Sequence, residues 1–208
     1  MNKRKTRLLI VDDHAITRMG LTSLLGSQPE FEITGDAGDW KTAVEMAAEE
    51  RPDVVIMDLM MPGVDGAETT RRLTERWPEA KVLILTTFSL SNGIAQAIAN
   101  GARGAILKSA ELPELLSAIR AVADGRQWIS EDVELMLKND PPLPDLTNRQ
   151  REILESITRG LSNKDIAKQL GISAPMVNEH INAIFAKLGA ANRTEAVAIA
   201  LRKHLLKI

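Results

Sequence analysis

Residues 54–63, with the sequence VVIMDLMMPG, decide the fold because a carboxylate lies at the end of an apolar run. Four apolar residues lead directly into Asp58, and two methionines, a proline and a glycine follow. A short apolar run bounded by turn residues is typical of a strand buried on both faces. Asp, Pro and Gly also favour turns, so Asp58 by itself could simply open one. A chemical role for Asp58 requires partners elsewhere in the chain.

Similar apolar runs recur through the first 125 residues, and helical patterns separate them. Apolar residues three and four apart, such as Leu112, Leu115 and Leu116, mark the helices. The alternation predicts an α/β fold, a doubly wound, five-stranded parallel sheet with helices on both faces. The candidate strands are residues 8–11, 32–36, 54–57, 82–85 and 104–107.

Polar residues follow four of these strands, at the edge of the sheet where ligands bind in open α/β folds. Each could be a turn or capping residue on its own, but their joint occurrence at one edge predicts a site. Clustered carboxylates repel unless a cation neutralises them, and all-oxygen ligation suits Mg²⁺. A carboxylate can also carry a phosphoryl group if nearby charges are neutralised. The residues are Asp12 and Asp13 after the first strand, Asp58 after the third, Thr86 after the fourth and Lys108 after the fifth.

The motifs VDD at 11–13, MDLMMPGVDG at 57–66, LTT at 85–87 and LK at 107–108 resemble the receiver domain of two-component response regulators. The resemblance implies a flavodoxin-like receiver over residues 1–125, in which Asp58 accepts a phosphoryl group from a histidine kinase. It also implies that Thr86 and Lys108 sense that group. The implied Mg²⁺ ligands are Asp12, Asp13, Asp58 and the backbone carbonyl of Met60.

Two positions depart from the receiver pattern. Receivers usually carry an aromatic residue three positions before the lysine, and here that position is Ala105. Ser109 follows Lys108 where an aspartate or proline is common. The phosphorylation chemistry survives both changes, whereas the route by which the signal reaches the surface is open.

The chain changes character after a segment rich in proline. Residues 138–146 read KNDPPLPDL, and a linker is predicted over 126–144. From 145 to 208 only helical patterns follow, which predicts an all-α domain of four helices. Ser and Thr caps open the first three and glycines close them, and the fourth runs from about Thr194 to the end. The caps are Thr147 with Gln150, Ser162 with Asp165, and Ser173; the glycines are Gly160, Gly171 and Gly189.

Charge and composition separate the two halves and limit the possible chemistry. From residue 145 onward there are 10 Lys and Arg against 6 Asp and Glu, and the remainder holds 16 against 22. A basic second domain is a candidate for nucleic acid binding. The absence of cysteine excludes disulfides, thiolate metal sites and a cysteine nucleophile. No secretory signal or membrane-spanning run is found, so a cytoplasmic location is expected.

The second and third helices of the basic domain meet in a short turn around residues 171–173 and form a candidate helix-turn-helix motif. A dimerisation bundle is the alternative on this signal alone. The sequences LTNRQREILESITRGLSNKDIAKQLGIS and VNEHINAIFAKLGAANRTEAV resemble the LuxR-type DNA-binding domain. The whole chain then resembles a response regulator of the NarL/FixJ class. This implies a transcription factor on promoter DNA, and a homodimer is expected on activation.

The third helix has an unusual exposed face for a recognition helix. Family members usually have threonine at the position of Met176 and lysine at that of Asn178, and here Glu179 lies beside them. A carboxylate without lysine weakens the phosphate contacts that dominate affinity. Asn178 and Asn182 could still read adenine, and Glu179 cytosine. The expected DNA-contacting residues are Asn163, Lys164, Lys168, Ser173, Met176, Asn178, Glu179, Asn182, Lys187, Asn192 and Arg193.

Two other functions compete with a transcription factor. One is a phosphatase with an aspartyl nucleophile, but such enzymes place a second acid two residues on, where this chain has Met60. The other is a regulator that works through protein contacts and barely touches DNA, which Glu179 suggests. The leading interpretation is therefore a phosphoacceptor rather than an enzyme.

Overall fold

The computed structural model describes residues 4–87, 91–203 and 205–206. They form two compact units, the first ending at Asp140 and the second beginning at Pro141. The strands are β1 (Thr6–Val11), β2 (Phe31–Ala37), β3 (Val54–Asp58), β4 (Val82–Thr86), β5 (Gly104–Leu107) and β6 (Trp128–Ile129). The helices of the first unit are α1 (Ala15–Gly26), α2 (Trp40–Glu50), α3 (Gly66–Arg76), α4 (Ser91–Ala99), α5 (Leu112–Ala123) and α6 (Glu131–Asn139).

The first unit is built on one parallel sheet with the strand order β2-β1-β3-β4-β5-β6. The α/β fold and the five predicted strands are confirmed, with boundaries shifted by at most two residues. The number of strands differs from the prediction, because a sixth strand of two residues pairs with β5. The order reverses between β1 and β3, which places the switch point between these two strands, and β4 and β5 end along the same edge of the sheet.

Helices cover both faces of this sheet, as the apolar strands require. One face packs against α2, α3, α4 and α6 around Leu9, Val55, Ile84 and Leu73. The other face of the sheet packs against α1 and α5 through an apolar cluster that includes Ile10. Residues of β3 and β4 are at most 5% exposed, so the middle of the sheet is fully covered.

The predicted linker over 126–144 is wrong in its first part, because that part folds onto the sheet. Ser130 caps α6 by accepting a hydrogen bond from the Val133 amide. Val133 and Met136, one helical turn apart, are buried in the same cluster as β5. The Ser91 hydroxyl at the start of α4 donates to Asp140 Oδ2 over 2.9 Å, just after α6 ends. Residues 141–147, which follow α6 and Asp140, have neither helix nor strand.

The second unit is all-α, as predicted. Its helices are α7 (Asn148–Thr158), α8 (Asn163–Leu170), α9 (Ala174–Leu188) and α10 (Arg193–Arg202). Both predicted capping boxes are present, at Thr147 with Gln150 and at Ser162 with Asp165. The predicted fourth helix ends at Arg202, and residues 204, 207 and 208 of that prediction lie outside the described residues.

The described helices include none that is both long and apolar enough to cross a bilayer.

Candidate phosphoacceptor site and nucleic-acid interface

The sheet brings four of the predicted site residues to one edge. Asp12 follows β1, Asp58 ends β3, Thr86 ends β4 and Lys108 follows β5. Asp12, Asp58 and Thr86 are 1%, 3% and 0% exposed. Burying two carboxylates side by side is unfavourable without a compensating charge.

Lys108 supplies that charge. Its Nζ lies 2.6 Å from Asp12 Oδ2 and 2.9 Å from Asp58 Oδ2. The backbone amide of Lys108 donates to the carbonyl of Thr86, which fixes the lysine beside the end of β4. One ammonium therefore bridges two nearly buried carboxylates.

The electrostatics of this triad follow from burial and from the shared cation. Burial raises the pKa of Asp58, and the nearby Asp12 charge adds to this, so the partly opposing effect of Lys108 does not restore the ordinary value. Burial of Lys108 acts to lower its pKa, but the contacts with Asp12 and Asp58 outweigh it and raise the pKa. The Asp58 carboxylate is thus charged at an energetic cost that a second cation would reduce.

Asp13 and His14 complete an acidic pocket beside this triad. One ligand atom each from Asp12, Asp13, His14 and Asp58 lies within 4.8 Å of the others. His14 is absent from the residues predicted from the sequence, although it directly follows the two aspartates. The signal that could have identified it is the run Asp12-Asp13-His14 at a strand end, because aspartate and histidine both bind metals.

The loop after Asp58 is held close to the backbone of β3. The Met60 amide donates to Asp58 Oδ1 over 3.3 Å, and the Gly66 amide donates to the Leu59 carbonyl over 3.0 Å. A Cβ at Gly66 would lie 2.1 Å from the Asp58 carbonyl oxygen, so only glycine fits there. Met60, two residues after Asp58, is 45% exposed.

Thr86 and Ala105 show how the neighbouring strands differ from the receiver pattern. The Thr86 hydroxyl is buried and donates to the Thr87 carbonyl over 3.2 Å. Ala105 is completely buried in the same cluster as Val133 and Met136 of α6. The space beside the alanine is therefore filled from the segment that sequence reasoning assigned to the linker.

Helix α9 has the buried and exposed faces predicted for it. Its core stripe includes Val177, Ile181, Ile184 and Leu188. The opposite face is open to solvent, and so are two lysines of α8. These exposed residues are Lys164, Lys168, Ser173, Met176, Asn178, Glu179 and Asn182.

Three predicted DNA-contacting residues bond to one another within the second unit. Asn163 Nδ2 donates to Asn178 Oδ1 over 2.7 Å, and Arg193 Nη1 donates to Asn163 Oδ1 over 3.3 Å. Arg193 also donates to the carbonyl of Ile157 in the last turn of α7 and to that of Leu161 in the turn between α7 and α8. This chain of bonds orients Asn178 on the exposed face of α9.

Lys187 and Asn192 also make hydrogen bonds within the second unit. Lys187 Nζ donates to the Asp145 carbonyl and to Gln150 Oε1 over 2.5 and 3.0 Å, which holds α9 against the start of α7. Asn192 caps α10 by accepting from the Glu195 amide over 2.9 Å. The Lys187 contacts cannot be read from the sequence, because they depend on how the helices pack, whereas the Asn192 cap joins residues only three apart.

A parallel α/β domain with this carboxylate–lysine edge, followed by a helix-turn-helix unit, defines a two-domain signalling regulator. The chain matches the family model for the response regulator receiver domain over residues 8–120. It matches the model for bacterial regulatory proteins of the luxR family over residues 144–200.

Relatives over the full length agree with both matches. The chain is 36% identical to the transcriptional regulatory protein LiaR of Bacillus subtilis (strain 168), over 96% of this chain and 99% of that protein. It is 33% identical to the transcriptional regulatory protein DegU of Brevibacillus brevis, over 100% of this chain and 98% of that protein. The crystal structure of ChrA, a response regulator of a heme-sensing two-component system, is 35% identical, with a TM-score of 0.59 over 98% of this chain and all of that chain.

The chain therefore belongs to the NarL/FixJ class of response regulators, in which a receiver domain precedes a LuxR-type DNA-binding domain. It is a transcriptional regulator of a two-component system, as the sequence predicted.

Proposed function

We propose that Asp58 is the phosphoacceptor and that a histidine kinase is its donor. The observation that carries this proposal is the pairing of a buried Asp58 with Lys108 at 2.9 Å, at the switch point of the sheet. Phosphoryl transfer depends on positioning and charge neutralisation, and both are available here. Asp12 holds the lysine from the other side over 2.6 Å.

The acidic pocket fits the Mg²⁺ ion that the family implies. Asp13 Oδ1 is buried and accepts no hydrogen bond among the described residues, and it lies in the cluster with Asp12 and Asp58. These three carboxylates, with the carbonyl of Met60, would hold the ion. When bound, Mg²⁺ would neutralise charge on the transferring phosphoryl oxygens.

Asp58, Lys108 and Thr86 would carry out the other parts of the phosphoryl transfer. An Asp58 carboxylate oxygen forms the new bond to phosphorus as the bond to the donor histidine nitrogen breaks. Lys108 would neutralise part of the charge on the incoming group, and the Thr86 hydroxyl would donate to it after leaving the Thr87 carbonyl. Receipt of one phosphoryl group, rather than continuous turnover of a small ester, distinguishes this role from that of a phosphatase.

Incubation with Mg²⁺ and acetyl phosphate tests the assignment by intact mass. Wild-type protein should gain one phosphoryl group, and Asp58→Asn should gain none. Asp124→Asn is the matched control, because Asp124 is exposed and lies after α5, away from the switch point. Labelling of Asp58→Asn at the wild-type level would exclude Asp58, and steady phosphate release would favour the phosphatase.

For the second unit we propose that α9 enters the major groove as a homodimer binds promoter DNA. The contacts proposed for the phosphate backbone come from Lys164 and Lys168, which are exposed on α8. The base-reading residues would be Asn178 and Asn182, with Ser173, Met176 and Glu179 beside them. The other four expected residues already bond within the unit, so their main role would be to position the helices on the DNA; they are Asn163, Lys187, Asn192 and Arg193.

Glu179 makes this DNA binding depend on dimerisation. A carboxylate near the phosphate backbone opposes the sequence-independent term, so a single domain binds weakly. Linking two half-site contacts restores affinity through a high effective concentration. Binding isotherms over a salt series test this on specific and random duplexes.

In that series Glu179→Lys should raise affinity for random DNA and steepen its salt dependence. The advantage of the phosphorylated form should also shrink. If affinity for random DNA stays unchanged, Glu179 does not face DNA, and a regulator that works through protein contacts gains support.

A further inference from the structure

His14 occupies a position that serves the helix poorly and the acidic pocket well. It is the N-cap residue of α1, where Ser, Thr, Asp or Asn would satisfy a free backbone amide. The His14 side chain makes no capping hydrogen bond. Its ring instead lies over the two aspartates, with Nδ1 at 3.0 Å from Asp13 Oδ1 and 3.4 Å from Asp12 Oδ1.

These contacts are close, but they do not have the alignment of hydrogen bonds. Asp13 Oδ1 is buried and accepts no aligned hydrogen bond from any described residue, although Nδ1 is 3.0 Å away. The Asp12 carboxylate takes its aligned hydrogen bonds from elsewhere. Oδ1 accepts from the His14 amide over 2.8 Å, and Oδ2 accepts from Lys108 over 2.6 Å. The ring nitrogen and the carboxylate oxygens therefore converge without pairing with one another.

The separations are those of neighbouring ligands around one cation. In an octahedral site with metal–ligand bonds of about 2.1 Å, adjacent ligands lie about 3.0 Å apart and opposite ligands about 4.2 Å apart. The observed distances of 3.0 and 3.4 Å match adjacent ligands, and the whole cluster spans at most 4.8 Å. Nδ1 is thus placed as a further protein ligand atom beside the three carboxylates and the Met60 carbonyl.

We propose that His14 is a metal-selecting ligand, which makes this receiver prefer a transition divalent cation such as Mn²⁺ over Mg²⁺. The inference rests on the proposed metal site of Asp12, Asp13 and Asp58. Mg²⁺ favours oxygen donors and retains its waters, whereas imidazole nitrogen suits first-row transition ions. Replacing one oxygen or water by Nδ1 raises affinity for the transition ion and gives Mg²⁺ no comparable gain.

The test compares Mn²⁺ and Mg²⁺ binding to the full chain and to His14→Ala. Direct titration of Mn²⁺ by EPR and competition with Mg²⁺ give both affinities. His14→Ala should weaken Mn²⁺ binding about tenfold or more, the scale seen when metal-site partners are removed, and leave Mg²⁺ binding within about twofold. Pulsed EPR of bound Mn²⁺ should show coupling to a histidine nitrogen that disappears in His14→Ala.

Two control variants separate this inference from the proposed function. His180→Ala, on α9 of the other unit, should change neither affinity. Asp13→Ala should weaken both metals, and if it does not, the metal site itself is wrong. If Asp13→Ala weakens both metals but His14→Ala weakens them equally or not at all, or if no nitrogen coupling is seen, His14 is not a ligand and the inference is overturned.

Discussion

Substituting Ala105 by phenylalanine tests whether α6 has taken the space that receivers usually give to an aromatic residue. Ala105 is completely buried, and Val133 and Met136 of α6 lie in the same cluster. The Ser130 amide also donates to the Ala105 carbonyl over 3.1 Å, which fixes the start of α6 next to β5. The larger ring must therefore either strain this packing or displace the helix.

The magnitudes favour strain with the helix still in place. Burying a valine or methionine side chain contributes about 1.5–3 kcal/mol, so Val133 and Met136 together hold α6 with about 3–6 kcal/mol. Overpacking a core costs about 1–3 kcal/mol, which is less than the cost of undocking. The free energy of unfolding of the first unit should fall by about 1–3 kcal/mol in Ala105→Phe, while α6 stays docked.

Urea unfolding followed by tryptophan fluorescence measures this change. Trp40, Trp77 and Trp128 all lie in the first unit, so the signal reports on that unit alone. Tryptic cleavage after Lys138, which is exposed on α6, reports separately on docking. The matched control is Ala99→Phe, because Ala99 is an exposed alanine at the end of α4.

Ala99→Phe should unfold at the wild-type urea concentration. If Ala105→Phe does the same and cleavage at Lys138 is unchanged, α6 does not fill this space and the packing argument is refuted. Rapid cleavage with a small loss of stability would show that α6 is held by less than the calculated energy.

Three further predictions concern the loop after Asp58, the surface of α3 and the second unit. In Gly66→Ala the added Cβ meets the Asp58 carbonyl, so the free energy of unfolding should fall by about 1–3 kcal/mol. The melting temperature should fall, and labelling by acetyl phosphate should be slower. Hydrogen bonds from Arg71, helped by others nearby, lower the pKa of Glu68 from 4.5 to about 2. The Glu68 carboxylate therefore stabilises the fold above about pH 4.5, and this stabilisation is lost as the pH falls toward 2. In urea titrations at pH 7, Glu68→Gln should lower the free energy of unfolding by about 0.5–1 kcal/mol, and this difference should shrink between about pH 4.5 and 2. Lys187→Ala should cost about 0.5–1.5 kcal/mol in stability by calorimetry and leave the salt slope of DNA binding nearly unchanged.

The sheet and the helix-turn-helix unit were predictable because their signals are local and repeated. Apolar runs that end in Asp12, Asp58 and Thr86 predict both the strands and the edge at which these residues meet, since the carboxyl ends of parallel strands lie at the same edge of a sheet. Capping pairs such as Ser162 with Asp165 fix the starts of helices through contacts only three residues apart. Patterns of this kind are complete within one element and do not depend on packing.

The segment from β6 to α6 was missed because its signal is weak at each step. A strand of two residues has no periodicity, and α6 buries only Val133 and Met136 among its own residues. The prolines from Pro141 onward dominated the interpretation and extended the linker too far back. Ser130 followed by acidic residues was the available sign of a helix start.

The residues of the proposed sites also differ in how far the sequence could predict their positions. Residues at strand ends could be placed together from the sequence, because topology alone brings Asp12, Asp58 and Lys108 to one edge. The orientation of His14 toward the aspartates depends on a rotamer. The bonds that occupy Lys187 and Arg193 depend on the angles at which helices pack, which no local pattern encodes.

The β6–α6 segment also determines where the receiver can be cut. The family model ends at residue 120, but the compact unit continues to Asp140. A fragment ending at 125 would leave β5 as an open edge strand, with free backbone groups and the apolar surface that α6 now covers. Such edges pair with other chains and aggregate. A fragment ending at 140 keeps that edge paired and is the piece suited to kinase assays, crystallisation and domain exchange.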